Sequence, residues 1–214
     1  MNMHARSVAA APARPSGVRE QILAAAQDAV LAKGFGATSI EELIAAVGIS
    51  KSGFFYHFRD KNELAKELLV RYVEDNNAIN DRVFAESEAA HDDPLAAFLA
   101  ALDRFAEIYA DLPSGHPGCI VASVCYHERL FSRDVLEINR RAVEGWRDRA
   151  LQRLERIAAR YPLRIDARLE DLADMMYCVA DGGIILSRVA RDPMALPRQM
   201  RAYRALMALA FGAA

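Results

Sequence analysis

Apolar residues recur every three to four positions along most of the chain, which is the spacing of amphipathic helices. The first stripe includes Ile22, Ala26 and Val30 and predicts a helix over about 17–33. Later stripes predict helices over about 39–47, 51–58, 60–87, 119–130, 133–160 and 167–190, a fifth helix that opens at Pro94 and a ninth that reaches Phe211. Alanine occupies 40 positions and glycine 11, a mix that favours helix over strand. We therefore predict an all-α fold of about nine helices.

Prolines, glycines and hydroxyl caps signal the helix boundaries. All eight prolines fall where the apolar period pauses, as is typical of residues that cannot continue a helix. Gly34 and Gly48 fit C-caps, Ser50 fits an N-cap, and Thr38 with Glu41 fits a capping box. The second and third predicted helices are short and joined by a tight turn that contains Gly48. This arrangement predicts a helix-turn-helix.

Composition excludes several classes of protein. The chain has 214 residues, 53% of them hydrophobic, and no apolar run reaches the roughly 18 residues of a membrane span. The chain has three cysteines, an odd number, and its first residues show no signal-peptide pattern. We therefore expect reduced thiols in a cytoplasmic protein. The Ala-, Pro- and Arg-rich residues 1–16 predict a disordered arm.

Charge and donor groups favour a polyanion partner for the first third of the chain. Residues 1–71 carry nine Lys and Arg against seven Asp and Glu, and the remainder carries 18 against 22. The third predicted helix has a polar face dense in hydrogen-bond donors, made of Ser50, Lys51, Ser52, Gly53, Tyr56 and His57, with Lys61 nearby at the start of the next helix. Donors at a helix start suit phosphate oxygens.

Residues 38–64 resemble the DNA-binding motif of the TetR-type (TetR/AcrR) one-component transcriptional regulators. The residues that carry the resemblance are Thr38, Leu43, Ile44, Val47, Gly48, Ile49, Ser50, Gly53, Phe55, Tyr56, His57, Phe58, Lys61, Asn62, Glu63 and Leu64. The match extends over about residues 18–71, and its departures at Ile44 and Val47 are conservative. It implies a DNA-binding domain over 17–62, linked by the fourth helix to an effector-binding and dimerisation domain over 63–214.

The resemblance implies that the third helix enters the major groove of double-stranded operator DNA. The DNA-facing residues would be Thr38, Ser50, Lys51, Ser52, Gly53, Phe54, Tyr56, His57 and Lys61. We expect the lysines, Tyr56 and His57 mainly at phosphates, and Ser52, Gly53 and Phe54 nearer base edges. Phe55 and Phe58 are expected in the core.

A homodimer on a palindromic operator is expected, because a single module buries too little surface to bind tightly at physiological salt. In the family the last two helices form the dimer face. The small and apolar residues that fit this role are Ala180, Gly183, Leu186, Met200, Tyr203, Met207 and Ala210.

The family places a pocket for a small-molecule effector in the C-terminal half. The expected lining is Phe105, Tyr109, Cys119, Ser123, Tyr126, His127, Trp146, Met175, Met176, Tyr177 and Asp181, although ordinary core packing accounts equally well for each aromatic or thioether residue. The members from Cys119 to His127 fall within about 100° of one another on the predicted sixth helix. The leading hypothesis is a repressor that releases DNA when an effector binds, with no catalytic residue and no cofactor.

Four alternatives stay open or are set aside. Cys119, at a predicted helix N-terminus, fits a sensor of electrophiles or oxidants, since the helix dipole favours a thiolate there; an inert thiol is the default. A metal site is not expected, because Cys125 and His127 lie about 160° apart on a helix. A small helical enzyme is not favoured, because the sequence shows no phosphate-binding loop and no nucleophile elbow. An interaction module that has lost DNA binding is not favoured either, because the polar face of the third predicted helix is intact.

Overall fold

The computed structural model describes residues 17–212, so the expected arm at 1–16 lies outside the described residues. Within residues 17–212 the chain forms nine α-helices and one short 3₁₀ turn, and no strand. The helices are α1 Val18–Lys33, α2 Ile40–Val47, α3 Lys51–His57, α4 Lys61–Ala90, α5 Pro94–Ala110, α6 Ile120–Tyr126, α7 Arg133–Ala158, α8 Leu169–Val189 and α9 Ala195–Phe211. The predicted all-α fold is confirmed.

The helices divide into two compact units. The described residues of the smaller unit are 17–76 and 117–142, and those of the larger unit are 77–116 and 143–212. The division falls within α4 and α7, so each of these helices contributes residues to both units. The functional division at residue 62 stays a prediction.

Local sequence explains the first three helices. The N-cap of α2 is Ser39, whose hydroxyl accepts a hydrogen bond from the Glu42 N–H at 3.2 Å, so the cap lies one residue after the predicted Thr38. Gly48 ends α2 in the left-handed conformation with φ 74°. Ser50 then caps α3 by accepting from the Gly53 N–H at 3.0 Å, as predicted.

The sixth helix is shorter than predicted. It ends at Tyr126 and is followed by the 3₁₀ turn Glu128–Leu130, whereas the sequence predicted one helix through residue 130. Residues 125–130 are all exposed, so no buried face supports further helical turns beyond Val124. His127 therefore lies outside the helix that was expected to present it.

In the larger unit, α9 packs against both α5 and α8. Five of the residues expected at a dimer face are buried in this packing within the chain itself: Gly183, Met200, Tyr203, Met207 and Ala210. Gly183 permits close approach, because a Cβ there would lie 2.7 Å from Cδ1 of Leu196. The assignment of these five residues to a dimer face is therefore wrong, whereas Leu186 is exposed.

Candidate functional site

Two buried aromatic residues fix α3 in the smaller unit. Phe54 and Phe58 lie one turn apart, their ring centroids are separated by 5.7 Å, and their exposed fractions are 0% and 1%. The Arg19 guanidinium lies over the Phe58 ring at 5.3 Å from its centroid. This packing defines which side of α3 faces outward.

The outward side of α3 carries polar residues. Tyr56 is 86% exposed and its ring meets the His57 ring edge-on at 5.0 Å. Lys51 and Ser52 are exposed, and the hydroxyls of Ser50 and Ser52 lie 2.9 Å apart. The Lys51 ammonium lies 3.5 Å from the Glu41 carboxylate, but both side chains are about 70% exposed, so this pair is weak and leaves the lysine accessible to another anion.

The structure corrects the assignment of two phenylalanines. Phe54 was expected near base edges and is fully buried, whereas Phe55 was expected in the core and is 42% exposed. The helical period does not choose between them, because Phe54 and Phe55 lie four and three positions before Phe58 and both spacings place residues near one face. Packing in the smaller unit buries Phe54 beside Phe58 and leaves Phe55 partly exposed.

Two residues that were expected to face DNA, Thr38 and Lys61, instead donate hydrogen bonds to carbonyl groups of the protein. Thr38 is 2% exposed and its hydroxyl donates to the Gly34 carbonyl at 3.0 Å. The Lys61 ammonium donates to the Phe35 carbonyl at 2.8 Å and lies 4.6 Å from the centroid of the Phe35 ring. Partial burial lowers the pKa of Lys61 below its usual value. Both side chains therefore position the turn that follows α1.

In the larger unit, Trp146 lies in a polar and aromatic cluster. Its indole N–H donates to Asn77 Oδ1 at 2.7 Å, and its ring lies 5.5 Å from that of Tyr177. Arg149 donates to the same Asn77 oxygen at 2.6 Å. Asn77 and Arg149 were missed from the sequence. Arg149 was detectable in principle, because it follows Trp146 by three positions on one face of α7.

The other predicted effector residues of the larger unit differ in burial. Phe105 is 1% exposed and lies in the aromatic core, 5.5 Å from the Phe84 ring and 6.4 Å from the Tyr109 ring. Met176 and Asp181 are half-buried. Met175 is 36% exposed.

In the smaller unit, the predicted polar stripe of α6 is interrupted. Cys119 is the N-cap, and its sulfur accepts from the Ala122 N–H at 3.4 Å. Ser123 Oγ is buried, with no hydrogen-bond partner among the residues that the structure describes. Tyr126 is 74% exposed, and His127 lies beyond the end of the helix with its Nδ1 3.1 Å from the Ser123 carbonyl. Cys119 and Ser123 are thus partly enclosed, whereas Tyr126 and His127 face outward.

The described residues hold no disulfide among their three cysteines and no group of three or more metal-ligating side chains. None of the helices between residues 17 and 212 is long and apolar enough to cross a membrane.

Comparison with known proteins finds a family domain in the smaller unit. Residues 22–68 match the family model of bacterial regulatory proteins of the tetR family. The transcriptional regulator AcuR of Cereibacter sphaeroides is 23% identical over 186 residues, which cover 84% of this chain and 83% of AcuR.

Two solved structures have the same fold. A TetR-family regulator from Agrobacterium tumefaciens is 22% identical with a TM-score of 0.75, and the match covers 90% of this chain and 98% of that one. The reduced form of NemR from E. coli is 17% identical with a TM-score of 0.69, over 88% of this chain and 96% of that one. The buried anchors and polar outward face of α3 lie inside the matched residues 22–68. Residues 22–68 thus carry the helix-turn-helix domain of the tetR family of bacterial regulatory proteins, and the chain as a whole shares its fold with solved TetR-family structures.

Proposed function

We propose that this chain is a cytoplasmic, homodimeric repressor that binds a palindromic operator through α3 and leaves it when a small molecule binds the C-terminal half. The observation that carries the proposal is the outward face of α3, where Lys51, Ser52 and Tyr56 are exposed on a helix fixed by two buried phenylalanines. Side chains on a fixed helix are presented to the major groove at little ordering cost. Because the relatives named above are regulators, we propose regulation and not catalysis.

The accessible groups suggest a division of roles at the DNA. Lys51, Tyr56 and His57 would contact phosphates, and Ser52 and Gly53 would lie at base edges. Phe55 takes the role expected of Phe54, as the aromatic side chain available to thymine methyl groups or sugars. Thr38 and Lys61 support the site from within the protein.

DNA binding is tested by fluorescence anisotropy with duplexes from the region upstream of the gene. We expect nanomolar to micromolar binding that weakens steeply with salt, and a loss of at least about tenfold for Tyr56→Ala at constant salt. Tyr126→Ala is a matched control, because Tyr126 is also strongly exposed but lies outside α3. Equal affinity for all duplexes with and without a palindrome would contradict a specific operator.

The dimer is supported by apolar side chains that remain exposed on α8 and α9. Ile185, Leu186, Val189 and Leu209 are 48%, 49%, 79% and 71% exposed. Ile185, Leu186 and Val189 lie within about 100° of one another on α8, and exposed apolar groups that cluster on one helix face are typical of a protein–protein contact. We propose that a second copy covers them.

A charge placed in this apolar surface tests the dimer. Val189→Glu should convert the dimer to a monomer in light scattering at micromolar concentration and reduce operator affinity, because a buried carboxylate has no partner there. Ile165→Glu is the matched control, since Ile165 is 38% exposed and lies outside the helices. A Val189→Glu protein that stays dimeric would contradict this interface.

Effector release is supported by the cluster around Trp146. There the Trp146 and Tyr177 rings form an aromatic pair, and Trp146 and Arg149 both donate hydrogen bonds to the side-chain oxygen of Asn77. Trp146 is the only tryptophan of the chain, so its fluorescence reports binding there directly. We expect hydrophobic organic compounds that quench this fluorescence to release the operator, and Asn77→Ala to weaken both effects. Release by a compound that leaves the emission unchanged would place its site elsewhere.

A second candidate is release by electrophiles at Cys119, favoured by the hydrogen bond that its sulfur accepts at the N-terminus of α6. N-Ethylmaleimide should then release the operator from the wild type and from Cys178→Ser, but not from Cys119→Ser. Cys178 is exposed and serves as the control thiol. Equal release from Cys119→Ser would remove this candidate.

A further inference from the structure

The larger unit contains a pocket of about 280 Å³ that the proposed function does not use. It is formed by the C-terminal end of α4, the start of α5 and the C-terminal part of α7. Its apolar walls include Phe84, Pro94 and Phe98, and the two phenyl rings stack at 6.0 Å. Its polar wall includes Glu88, Arg153 and Arg156. This volume is slightly below the roughly 300–1,000 Å³ of pockets for drug-sized ligands, so it suits a smaller molecule.

Two guanidinium groups converge on a single oxygen of this polar wall. Arg153 Nε and an Arg156 terminal nitrogen donate to Oε1 of Glu88 at 3.0 and 2.9 Å. The Arg153 guanidinium also lies over the Phe84 ring, 3.9 Å from its centroid, and donates to the Arg149 carbonyl at 2.9 Å. These contacts hold one arginine rigidly, and rigid placement lowers the entropic cost of binding an anion.

The chain therefore supplies its own carboxylate to an arginine pair in an aromatic-walled pocket. We propose that this pocket binds a small monocarboxylate with an aromatic or short apolar body, whose carboxylate takes the place of Glu88 between Arg153 and Arg156. Planar guanidinium groups match the geometry of a carboxylate, and the apolar body replaces water on the phenylalanine and proline surfaces.

Charge balance makes the carboxylate of Glu88 a competitor. The pocket is lined by two arginines and two acidic residues, Glu88 and Asp92, so an anionic ligand meets net attraction only when one internal carboxylate moves away. Removing either acidic charge should therefore tighten ligand binding. The effect should be larger for Glu88, because only this carboxylate contacts both arginines in the described structure.

Calorimetric titration of the full chain with benzoate tests the site. We expect millimolar or tighter binding, at least about tenfold weaker binding to Arg156→Gln, and binding tightened by about threefold or more in Glu88→Gln. Benzamide, which has the same ring without the charge, should bind at least about tenfold more weakly than benzoate. Arg104→Gln is the matched control, because Arg104 is a half-exposed arginine of the same unit paired with Glu107 on α5.

Each outcome decides the proposal. No benzoate binding to the wild type, equal binding of benzoate and benzamide, or unchanged binding in Arg156→Gln overturns it. Weaker binding in Glu88→Gln with native helix content also overturns it, because Glu88 would then be part of the site and not its competitor.

Discussion

The rings of Phe35 and Phe131 pack against each other with their centroids 4.6 Å apart. Phe35 follows α1, and Phe131 lies nearly a hundred residues later, just before α7. A second contact joins the same two segments, since a Cβ on Gly36 would lie 3.3 Å from Leu130 Cδ1. The Ser132 N–H also donates to Asn62 Oδ1, at the start of α4, at 3.0 Å. The segment after α6 is thus part of the packing that supports the DNA-binding helices.

Replacing Phe131 with Ala should destabilise the smaller unit. The change removes half-buried apolar surface and an aromatic pair, and we expect the free energy of unfolding to fall by about 1–2 kcal/mol. Urea denaturation followed by circular dichroism measures the loss. Phe131→Leu should retain most of the stability, and Tyr126→Ala should be close to neutral because Tyr126 is 74% exposed. A neutral Phe131→Ala would show that the ring contact contributes little.

Lys51 and Lys61 should separate DNA contact from structural support. Lys51→Gln should reduce the slope of log affinity against log salt by about 0.9, the value for one lost phosphate contact in duplex DNA, without changing stability. Lys61→Gln should lower the free energy of unfolding by about 1 kcal/mol, because its ammonium donates to the buried side of the turn at Phe35. Anisotropy across salt concentrations and urea titration measure the two effects. A reversed pattern would restore Lys61 as the phosphate contact.

Helix boundaries were predictable where the chain carries a local signal. Gly48, Ser50 and the Asp93–Pro94 step each mark a boundary by backbone preference or side-chain capping, and the structure has a boundary at each. The end of α6 carries no such signal. It follows from the loss of buried neighbours after Val124, which periodicity within one segment does not reveal.

The orientation of a helix in the fold was less predictable. In α3 the aromatic residues Phe54, Phe55 and Tyr56 are consecutive, so either face of the helix has one, and only packing against the other helices selects Phe54 and not Phe55 for burial. In α9 the sequence has enough apolar residues to form a contact within the chain, a contact with a second copy, or both. The internal contact with α5 and α8 takes Met200 and Met207, which leaves Leu209 exposed.

His116 should make stability depend on pH. Burial lowers its pKa to about 4, and the positive charge of Arg188 contributes in the same direction. The unfolded chain, with a pKa near 6.5, then binds more protons between these values, so stability rises with pH from about 4 to 6.5 and is lost on acidification. When the pH falls from about 7.5 to 5, this residue should lower the free energy of unfolding by about 2 kcal/mol.

The difference between the wild type and His116→Gln isolates this contribution from that of the carboxylates. Urea titrations at about pH 7.5 and pH 5 should show a smaller loss for His116→Gln. His91→Gln, at an exposed position, should behave as the wild type. Parallel losses in the wild type and His116→Gln would show that His116 is protonated without cost in the folded state.

Gly182 and Gly183 should respond in opposite directions to alanine. A Cβ at Gly183 would lie 2.7 Å from Leu196 Cδ1 and 3.0 Å from its Cα, so the start of α9 must move, and we expect a loss of about 1–3 kcal/mol in the free energy of unfolding. No atom lies within 4 Å of a Cβ at Gly182 in the described chain, and alanine is favoured in a helix by up to about 1 kcal/mol. Gly182→Ala should therefore be neutral or stabilising for the single chain. Urea titration gives the stabilities and light scattering gives the dimer fraction. A stable Gly182→Ala protein with a weakened dimer would indicate that the partner packs on Gly182, whereas a stable Gly183→Ala protein would contradict the close contact between α8 and α9.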